Sequence, residues 1–256
     1  MPACNPSEIW LCGDVHGDIK HISRLLDDAE AKPKAILLLG DIDPPLPVST
    51  WLAPLKCHGS EVWFIHGNHE IDTAEQTLNT FYTEGAAMNL HGRVQDICGL
   101  RVAGLGGVFR GDVWFPKSNP EPLHRTYAEF HEHWLAKSPA FQRKAMQEFT
   151  GIEGLPLFSD RVKRALTSIF PETYDALSNL EADLLLTHEA PSCHPHGFAE
   201  LDLLAQAIGV KWLAHGHHHE DQAYPETSEA LGFQPIGVGY RGVTTVAGDV
   251  LLVGDL

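Results

Sequence analysis

Short and nearly unbroken apolar runs recur along the chain, and most of them end in a turn residue that polar groups follow. Five runs show this pattern, at residues 9–12, 36–39, 62–65, 184–186 and 212–214. Runs of this length and apolarity are typical of β-strands that are buried on both faces. They predict the central strands of a sheet.

Helical patterns separate these strands. Apolar residues recur at helical spacing within residues 19–29, 51–55, 77–82 and 201–208, and Gly209 closes the last of these segments. Alternation of strands and helices indicates an α/β fold built around a sheet.

The later part of the chain contains more strands. Residues 94–97, 100–105, 234–238, 243–247 and 250–253 have strand-like patterns, and the pairs Gly237 with Gly239 and Gly248 with Asp249 are typical of hairpin turns. We expect a second sheet packed on the first. The predicted fold is a four-layer α/β sandwich of two mixed β-sheets flanked by helices.

Residues 112–180 interrupt this alternation. Tyr127, Phe130 and Trp134 fall at helical spacing, and so do apolar residues between positions 162 and 170. They predict a helical insertion that forms a cap beside the functional site. The alternative is that these aromatic residues pack as core against the second sheet. We expect one domain over residues 1–256 that includes this insertion.

Composition narrows the classes of function. With 34 Asp and Glu against 18 Lys and Arg, the formal net charge is −16. Such a surface repels a polyanion, so nucleic acid is not an expected partner, whereas a small phosphorylated ligand at a metal site stays compatible. The five cysteines form no close pairs, and no apolar stretch is long enough to cross a membrane. We expect a cytoplasmic protein with no membrane partner, and its oligomeric state stays open.

Polar side chains at the predicted strand ends indicate a metal centre. They combine carboxylate, amide and imidazole groups: Asp14, His16, Asp41, Asn68, His69, His188, His217 and His219. Groups that follow the carboxyl ends of strands converge on one crevice in an open α/β sheet. The absence of a thiolate from this set favours manganese, iron or zinc. The ligands are too many for one tetrahedral ion and fit two ions that share a bridging carboxylate.

Glycine precedes several of these residues, at Gly13, Gly40, Gly67 and Gly216. A residue without a Cβ lets the chain turn sharply off a strand and approach a cation closely. These glycines therefore support the predicted metal centre.

The motifs resemble those of a known family. Five segments are similar, in order, to the motif blocks of the calcineurin-like metallophosphoesterase superfamily: Asp14-Val15-His16-Gly17, Gly40-Asp41, Gly67-Asn68-His69-Glu70, Thr187-His188 and Gly216-His217-His218-His219. The first and third blocks are most similar to the branch of serine/threonine phosphatases and bacterial diadenosine tetraphosphatases. The resemblance runs from about residue 8 to about residue 220 and leaves out the insertion.

The resemblance implies a role for each matching residue. It assigns Asp14, His16 and His219 to a first metal ion, Asn68, His188 and His217 to a second, and Asp41 to the bridge between them. It also implies hydrolysis of a phosphate mono- or diester by attack of a metal-bridging hydroxide, with His69 as general acid and Asn68 as a substrate contact. The implied cofactors are two divalent ions, with manganese expected first and iron, zinc or nickel as alternatives.

The second block departs from the family pattern. Relatives commonly continue from Gly-Asp through two residues to an acidic residue or Asn and then Arg, whereas this chain reads Gly40-Asp41-Ile42-Asp43-Pro44-Pro45. Asp43 is a candidate catalytic residue that would orient His69, and the alternative is a turn residue before the prolines. Arg110, in a glycine-rich loop, is the candidate substrate-binding replacement for the missing Arg. The alternative for Arg110 is a solvated or ion-paired side chain.

These patterns predict a metal-dependent phosphoesterase that acts on a small phosphorylated substrate or a phosphoprotein. Two other classes stay open. One is a nuclease that uses the same metal ions, and the other is a non-catalytic scaffold that binds a protein partner on the same fold.

Overall fold

A computed structural model describes residues 5–137, 160–224 and 226–255. The strands in this part of the chain are β1 (Ile9–Cys12), β2 (Ala35–Leu39), β3 (Glu61–Ile65), β4 (Arg93–Ile97), β5 (Leu100–Leu105), β6 (Leu184–Thr187), β7 (Trp212–His215), β8 (Gln222–Ala223), β9 (Gln234–Gly237), β10 (Val243–Thr245) and β11 (Val250–Leu252). They form a five-stranded sheet in the order β11-β10-β1-β2-β3 and a six-stranded sheet in the order β4-β5-β6-β7-β9-β8. Both sheets mix parallel and antiparallel pairs.

Helices connect the strands. The α-helices of the described residues are α1 (Lys20–Asp28), α2 (Val48–Trp51), α3 (Ala53–Lys56), α4 (Ala74–Phe81), α5 (Tyr127–Lys137), α6 (Asp160–Leu166), α7 (Pro171–Ser178), α8 (Ala199–Ile208) and α9 (Ser228–Leu231), with 3₁₀ turns at Pro6–Glu8 and Glu84–Met88. Local sequence sets several boundaries. Thr73 caps α4 by accepting from the Gln76 N–H, and Gly209 ends α8 in a left-handed conformation with φ of 71°.

Alternation of side chains along the strands produces three apolar layers. Leu11 and Leu37 face the space between the two sheets, where they meet Leu184 and Leu186 of β6. The residues between them face outward and pack on helices; Leu38, for example, belongs to the same cluster as residues of α1 and α2. A further cluster covers the outer face of the second sheet with α7 and α8. Burial of each large aliphatic side chain stabilises this arrangement by ~1.5–3 kcal/mol.

The predicted four-layer α/β sandwich is confirmed, but the sheet membership of two strands was wrong. The sequence pattern predicts that the last strands of the chain belong to the second sheet. Instead, β10 and β11 extend the first sheet, because Trp10 of β1 pairs antiparallel with Thr245. Gly248 and Asp249 do connect a hairpin, formed by β10 and β11. Gly237 and Gly239 do not, because the chain crosses there from one sheet to the other.

The segment 112–180 contains helices α5, α6 and α7 and has a small apolar cluster of its own. Val113, Phe130, Ala165 and Phe170 are buried together in this cluster. The assignment of one domain with an insertion at these positions stays a prediction, and residues 138–159 of the segment lie outside the described residues. In the described part of the chain, no helix is both long and apolar enough to cross a membrane.

Parallel strands bring the predicted site together. β1, β2 and β3 run in the same direction in the first sheet, and β5, β6, β7 and β9 run in the same direction in the second. The carboxyl ends of β1, β2, β3, β6 and β7 lead directly into the segments that carry the candidate metal ligands, which begin at Asp14, Asp41, Asn68, His188 and His217.

Candidate metal centre

Two groups of ligand atoms lie where these strands end. In the first group, Asp14, His16 and His219 each offer one atom, and these atoms all lie within 4.8 Å of one another. Asp14 Oδ2 is 3.1 Å from His219 Nε2, and both Asp14 carboxylate oxygens accept from the His217 N–H. The first group thus joins the end of β1 to the loop that follows β7.

The second group consists of Asp41, His188 and His217, again with ligand atoms within 4.8 Å of one another. Asn68 belongs beside it, because its Oδ1 lies 3.3 Å from His188 Nε2. His188 is fully buried, and its other nitrogen, Nδ1, lies 2.8 Å from the Leu39 carbonyl oxygen. That carbonyl requires a donor, so Nε2 is the nitrogen that is turned toward the site.

Asp41 lies between the two groups. Its Oδ2 is 3.3 Å from His188 Nε2 in the second group and 3.9 Å from His16 Nε2 in the first. Its Oδ1 accepts from the N–H groups of Asn68 and His69, which fixes the carboxylate. All seven ligand candidates inferred from the sequence are therefore close together.

The donor set fits divalent cations. In the neutral imidazole that binds a metal ion, Nδ1 of His188 donates to the Leu39 carbonyl and Nε2 is an acceptor, which faces two further acceptors, Asn68 Oδ1 and Asp41 Oδ2. Acceptors this close repel one another unless a positive charge lies between them. Mixed carboxylate, amide and imidazole ligands are typical of manganese, iron and zinc sites.

The pKa values of these groups reflect the same need for positive charge. Burial alone would lower the pKa of His188, but the charges of Asp41 and Asp14 outweigh it and raise the pKa to about 10. Burial alone would raise the pKa of Asp41, but the neighbouring His188 holds it well below its usual range. Without a metal ion, the centre retains a proton between these groups, and a bound cation would take the place of that proton.

The backbone is strained at the ligand positions. Residues other than glycine rarely have positive φ, yet His16 (40°), Asp41 (47°), His217 (70°) and His219 (59°) all do. Each such residue costs of order 1–3 kcal/mol and persists only where the surrounding structure imposes it, which is common at functional sites. The strain therefore supports a functional role for these four residues.

Glycines allow the ligand loops to approach closely. A Cβ on Gly67 would lie 2.2 Å from Asp41 Oδ1, and one on Gly216 would lie 2.4 Å from Asp14 Oδ1. No side chain fits at these distances. The role that we expected for the glycines before the ligands is therefore a steric one at both positions.

Asp43 contacts a different histidine from the one that we expected. Its Oδ2 lies 2.7 Å from Nδ1 of His16, and this hydrogen bond is the main reason that the pKa of His16 is raised. His69 instead pairs through Nδ1 with Asp72 Oδ2, also at 2.7 Å. The expected contact from Asp43 to His69 is thus replaced by two separate pairs. Asp43 orients a metal-ligand candidate, and Asp72 orients the candidate acid.

Arg110 lines a cavity of about 480 Å³ together with Asn68 and His217. Its guanidinium donates to Thr167 Oγ1 at 3.3 Å, and its Nε is buried without a hydrogen-bond partner among the described residues. The side chain of Arg110 therefore lies near the candidate metal centre, and its guanidinium forms no ion pair with a described residue there.

Two residues near the centre were missed in the sequence. Glu189 is buried with Oε2 4.0 Å from His217 Nε2, and burial raises its pKa to about 7. The ring of Tyr240 lies 5.1 Å from that of His219 and 5.6 Å from that of His16. Adjacency to His188 was a usable signal for Glu189, and Tyr240 follows the predicted strand 234–238 by two residues, which was a usable signal as well.

Comparisons with known proteins show the family and the fold. The model of the family described as calcineurin-like phosphoesterase matches residues 7–221, and the chain belongs to this family. An uncharacterized protein from Haemophilus influenzae is 38% identical over 247 residues, which are 95% of this chain and 96% of that protein. The crystal structure of TT1561 from Thermus thermophilus has a similar fold, with a TM-score of 0.53, 16% identity and coverage of 93% and 94% of the two chains.

Proposed function

We propose that this protein is a phosphohydrolase with two divalent metal ions, and that it cleaves a phosphate mono- or diester. The observation that carries this proposal is the position of the Asp41 carboxylate between the two groups of ligand atoms. Family membership supports the reaction class, and the mixed carboxylate, amide and imidazole donors support a divalent transition metal. We propose manganese first, with iron, zinc or nickel as alternatives.

When bound, the ions would supply Lewis acidity for the phosphoryl oxygens and lower the pKa of the attacking water. The residues of the chain would hold this arrangement in place. Asp14, His16 and His219 would bind one ion, and Asn68, His188 and His217 would bind the other, with Asp41 contacting both. Asn68 would also face the substrate, because it lines the adjacent cavity.

His69 is the proposed general acid. It follows Asn68 directly, its side chain is 44% exposed, and its ring centroid is 5.3 Å from that of His16. An accessible imidazole at the edge of the centre can reach a leaving-group oxygen. The bond from Asp72 to Nδ1 leaves Nε2 free for that proton transfer, a step typically worth about 10²–10⁴ in rate.

Arg110 is the proposed phosphate-binding residue. It lines the same cavity as two ligand candidates, and its planar guanidinium suits bidentate contact with phosphate oxygens. The cavity of about 480 Å³ has room for a small phosphorylated molecule. We propose such a molecule as the substrate and keep a phosphopeptide in the test panel.

Hydrolysis assays with purified protein and manganese test this function. The panel contains p-nitrophenyl phosphate, bis-p-nitrophenyl phosphate, a diadenosine polyphosphate, a cyclic nucleotide and a phosphopeptide. Asp41→Asn should lose both activity and bound metal, because it removes the shared ligand. His69→Ala should retain the metal and lose about 10²–10⁴ in kcat.

The same panel, with single- and double-stranded DNA added, separates the rival classes. A scaffold would bind metal without hydrolysing any compound in the panel. A nuclease would cleave DNA in preference to the small esters, with binding that weakens steeply as salt increases. Metal-stimulated hydrolysis that survives in Asp41→Asn would contradict the proposed centre.

A further inference from the structure

Two neighbouring cavities lie beside the candidate metal centre and share one wall. The inner cavity, about 480 Å³, reaches Asn68 and His217. The outer cavity, about 450 Å³, is lined by Arg164 and five residues of the segment 109–115. Phe109, Arg110 and Phe115 line both cavities. A molecule held at the metal centre can therefore extend past Arg110 into the outer cavity.

Arg110 and Arg164 place two positive charges along this path. Burial and the nearby charge of Arg164 lower the pKa of Arg110, which indicates that the two guanidinium groups repel each other. Asp112 and Glu189 act in the opposite direction and offset part of this repulsion. Among the described residues, neither arginine forms an ion pair, and the Nε of Arg110 has no hydrogen-bond partner.

The two arginines belong to a chain that is acidic as a whole. The formal net charge is −16, with 34 acidic residues available as partners. Asp112 also lines the outer cavity, but among the described residues it forms no ion pair with Arg110 or Arg164. Two neighbouring guanidinium groups, one of them partly buried, therefore cost free energy in the absence of a ligand. An anion between them would remove that cost and would gain charge-assisted hydrogen bonds.

We propose that the outer cavity is a second anion site, at which Arg164 and Arg110 bind a second anionic group of the substrate. This inference rests on the proposed function, since the first phosphoryl group would lie at the metal centre. The substrate class is then a phosphate ester whose leaving group carries another phosphate or a carboxylate. Phe109 and Phe115, which line both cavities, would contact the apolar part that connects the two anionic groups.

Binding of non-hydrolysable compounds tests the second site directly. Calorimetry on the manganese-loaded protein compares alkane bisphosphonates of increasing chain length with the alkyl monophosphonates of the same lengths. A parallel series with a terminal carboxylate distinguishes a phosphate site from a carboxylate site. We expect one range of lengths to bind about tenfold more tightly than its monophosphonate counterpart, as charge-assisted hydrogen bonds to one further anion would give.

The variants identify the responsible residue. Arg164 is exposed, so Arg164→Ala should fold normally; it should abolish the preference for two anionic groups and leave monophosphonate binding unchanged. Arg24→Ala removes the same charge from an exposed position on α1, which lines neither cavity, and should retain the preference. Equal binding of both series at every length, or a preference that survives in Arg164→Ala, would overturn the proposal. If the preference is present but p-nitrophenyl phosphate is not hydrolysed, the second site stands and the proposed phosphohydrolase function fails.

Discussion

The hydrogen bond between Asp43 and His16 allows a direct test of how the first group of ligands is held. Asp43 Oδ2 lies 2.7 Å from His16 Nδ1, and the exposed fractions of the two side chains are 9% and 23%. This bond leaves Nε2 as the nitrogen that faces Asp41, 3.9 Å away. Asp43→Asn preserves the size of the side chain but removes its charge, so the imidazole is held less firmly in orientation and tautomer.

The expected magnitude follows from the geometry of this bond. A hydrogen bond to a charged group contributes ~1.5–3 kcal/mol, and partial exposure of His16 reduces the contribution to the lower part of that range. Loss of a carboxylate that orients a metal-binding imidazole typically weakens metal binding by about 10- to 100-fold. For Asp43→Asn we expect about tenfold weaker binding of one manganese ion and unchanged binding of the other.

Titration of the metal-free protein with manganese, followed by calorimetry, measures both affinities. Asp72→Asn is the matched control, because it makes the same change of charge in the partner of His69, which is not a ligand candidate. The control should bind both ions normally and show a lower kcat. Normal metal binding by Asp43→Asn, together with weakened binding by Asp72→Asn, would refute the reasoning.

Substitutions at three further positions have defined outcomes. Gly216→Ala should cost ~1–3 kcal/mol of stability and abolish metal binding, because the added Cβ would lie 2.4 Å from Asp14 Oδ1. Thermal unfolding with and without manganese would measure both effects. Burial lowers the pKa of His91 from 6.5 to about 4, so on acidification this histidine is protonated in the unfolded chain before it is protonated in the folded protein. The free energy of unfolding should therefore fall as the pH drops from about 6.5 toward 4. Urea titrations should show a shallower fall in His91→Gln, and an equally steep fall would contradict this assignment. The ring of His194 stacks on that of His218, with centroids 3.8 Å apart, beside the ligand loop, so His194→Ala should weaken manganese binding several-fold, whereas His194→Phe should not.

The ligand set could be predicted because both of its requirements are local in sequence. A strand that is buried on both faces appears as an apolar run, as in residues 35–39, which are all buried. The polar residues just beyond such runs then share one edge of the sheet whenever the strands run parallel. Asp14, Asp41 and His188 were found in this way.

Sheet membership could not be predicted in the same way, because strand pairing joins residues that are distant in sequence. The pattern of residues 243–245 indicates a strand, but nothing in it indicates pairing with β1 rather than β9. A strand of three residues, here Val243, Thr244 and Thr245, fits either sheet. The same limit applies to the segment 237–239, whose glycines suit a hairpin turn as well as a crossover between sheets.

The hydrogen-bond partners of individual side chains were harder to predict from the sequence than the membership of strands in the two sheets. Asp43 was expected beside His69, yet its φ of 43° accompanies a bond to His16 instead. The pairing of His69 with Asp72 does have a local signal, since the two residues are three positions apart. Glu189 follows His188 directly in the sequence, but its contact with His217 depends on how the second sheet places the ends of β6 and β7.

Metal content and position test the central claim most directly. Protein purified without metal, loaded with manganese and crystallised would be examined by elemental analysis and by anomalous diffraction at the manganese edge. We predict two ions per chain, one held by Asp14, His16 and His219, the other by Asn68, His188 and His217, with Asp41 contacting both. A protein that binds no divalent ion, or that binds its ions away from Asp41, would contradict the account.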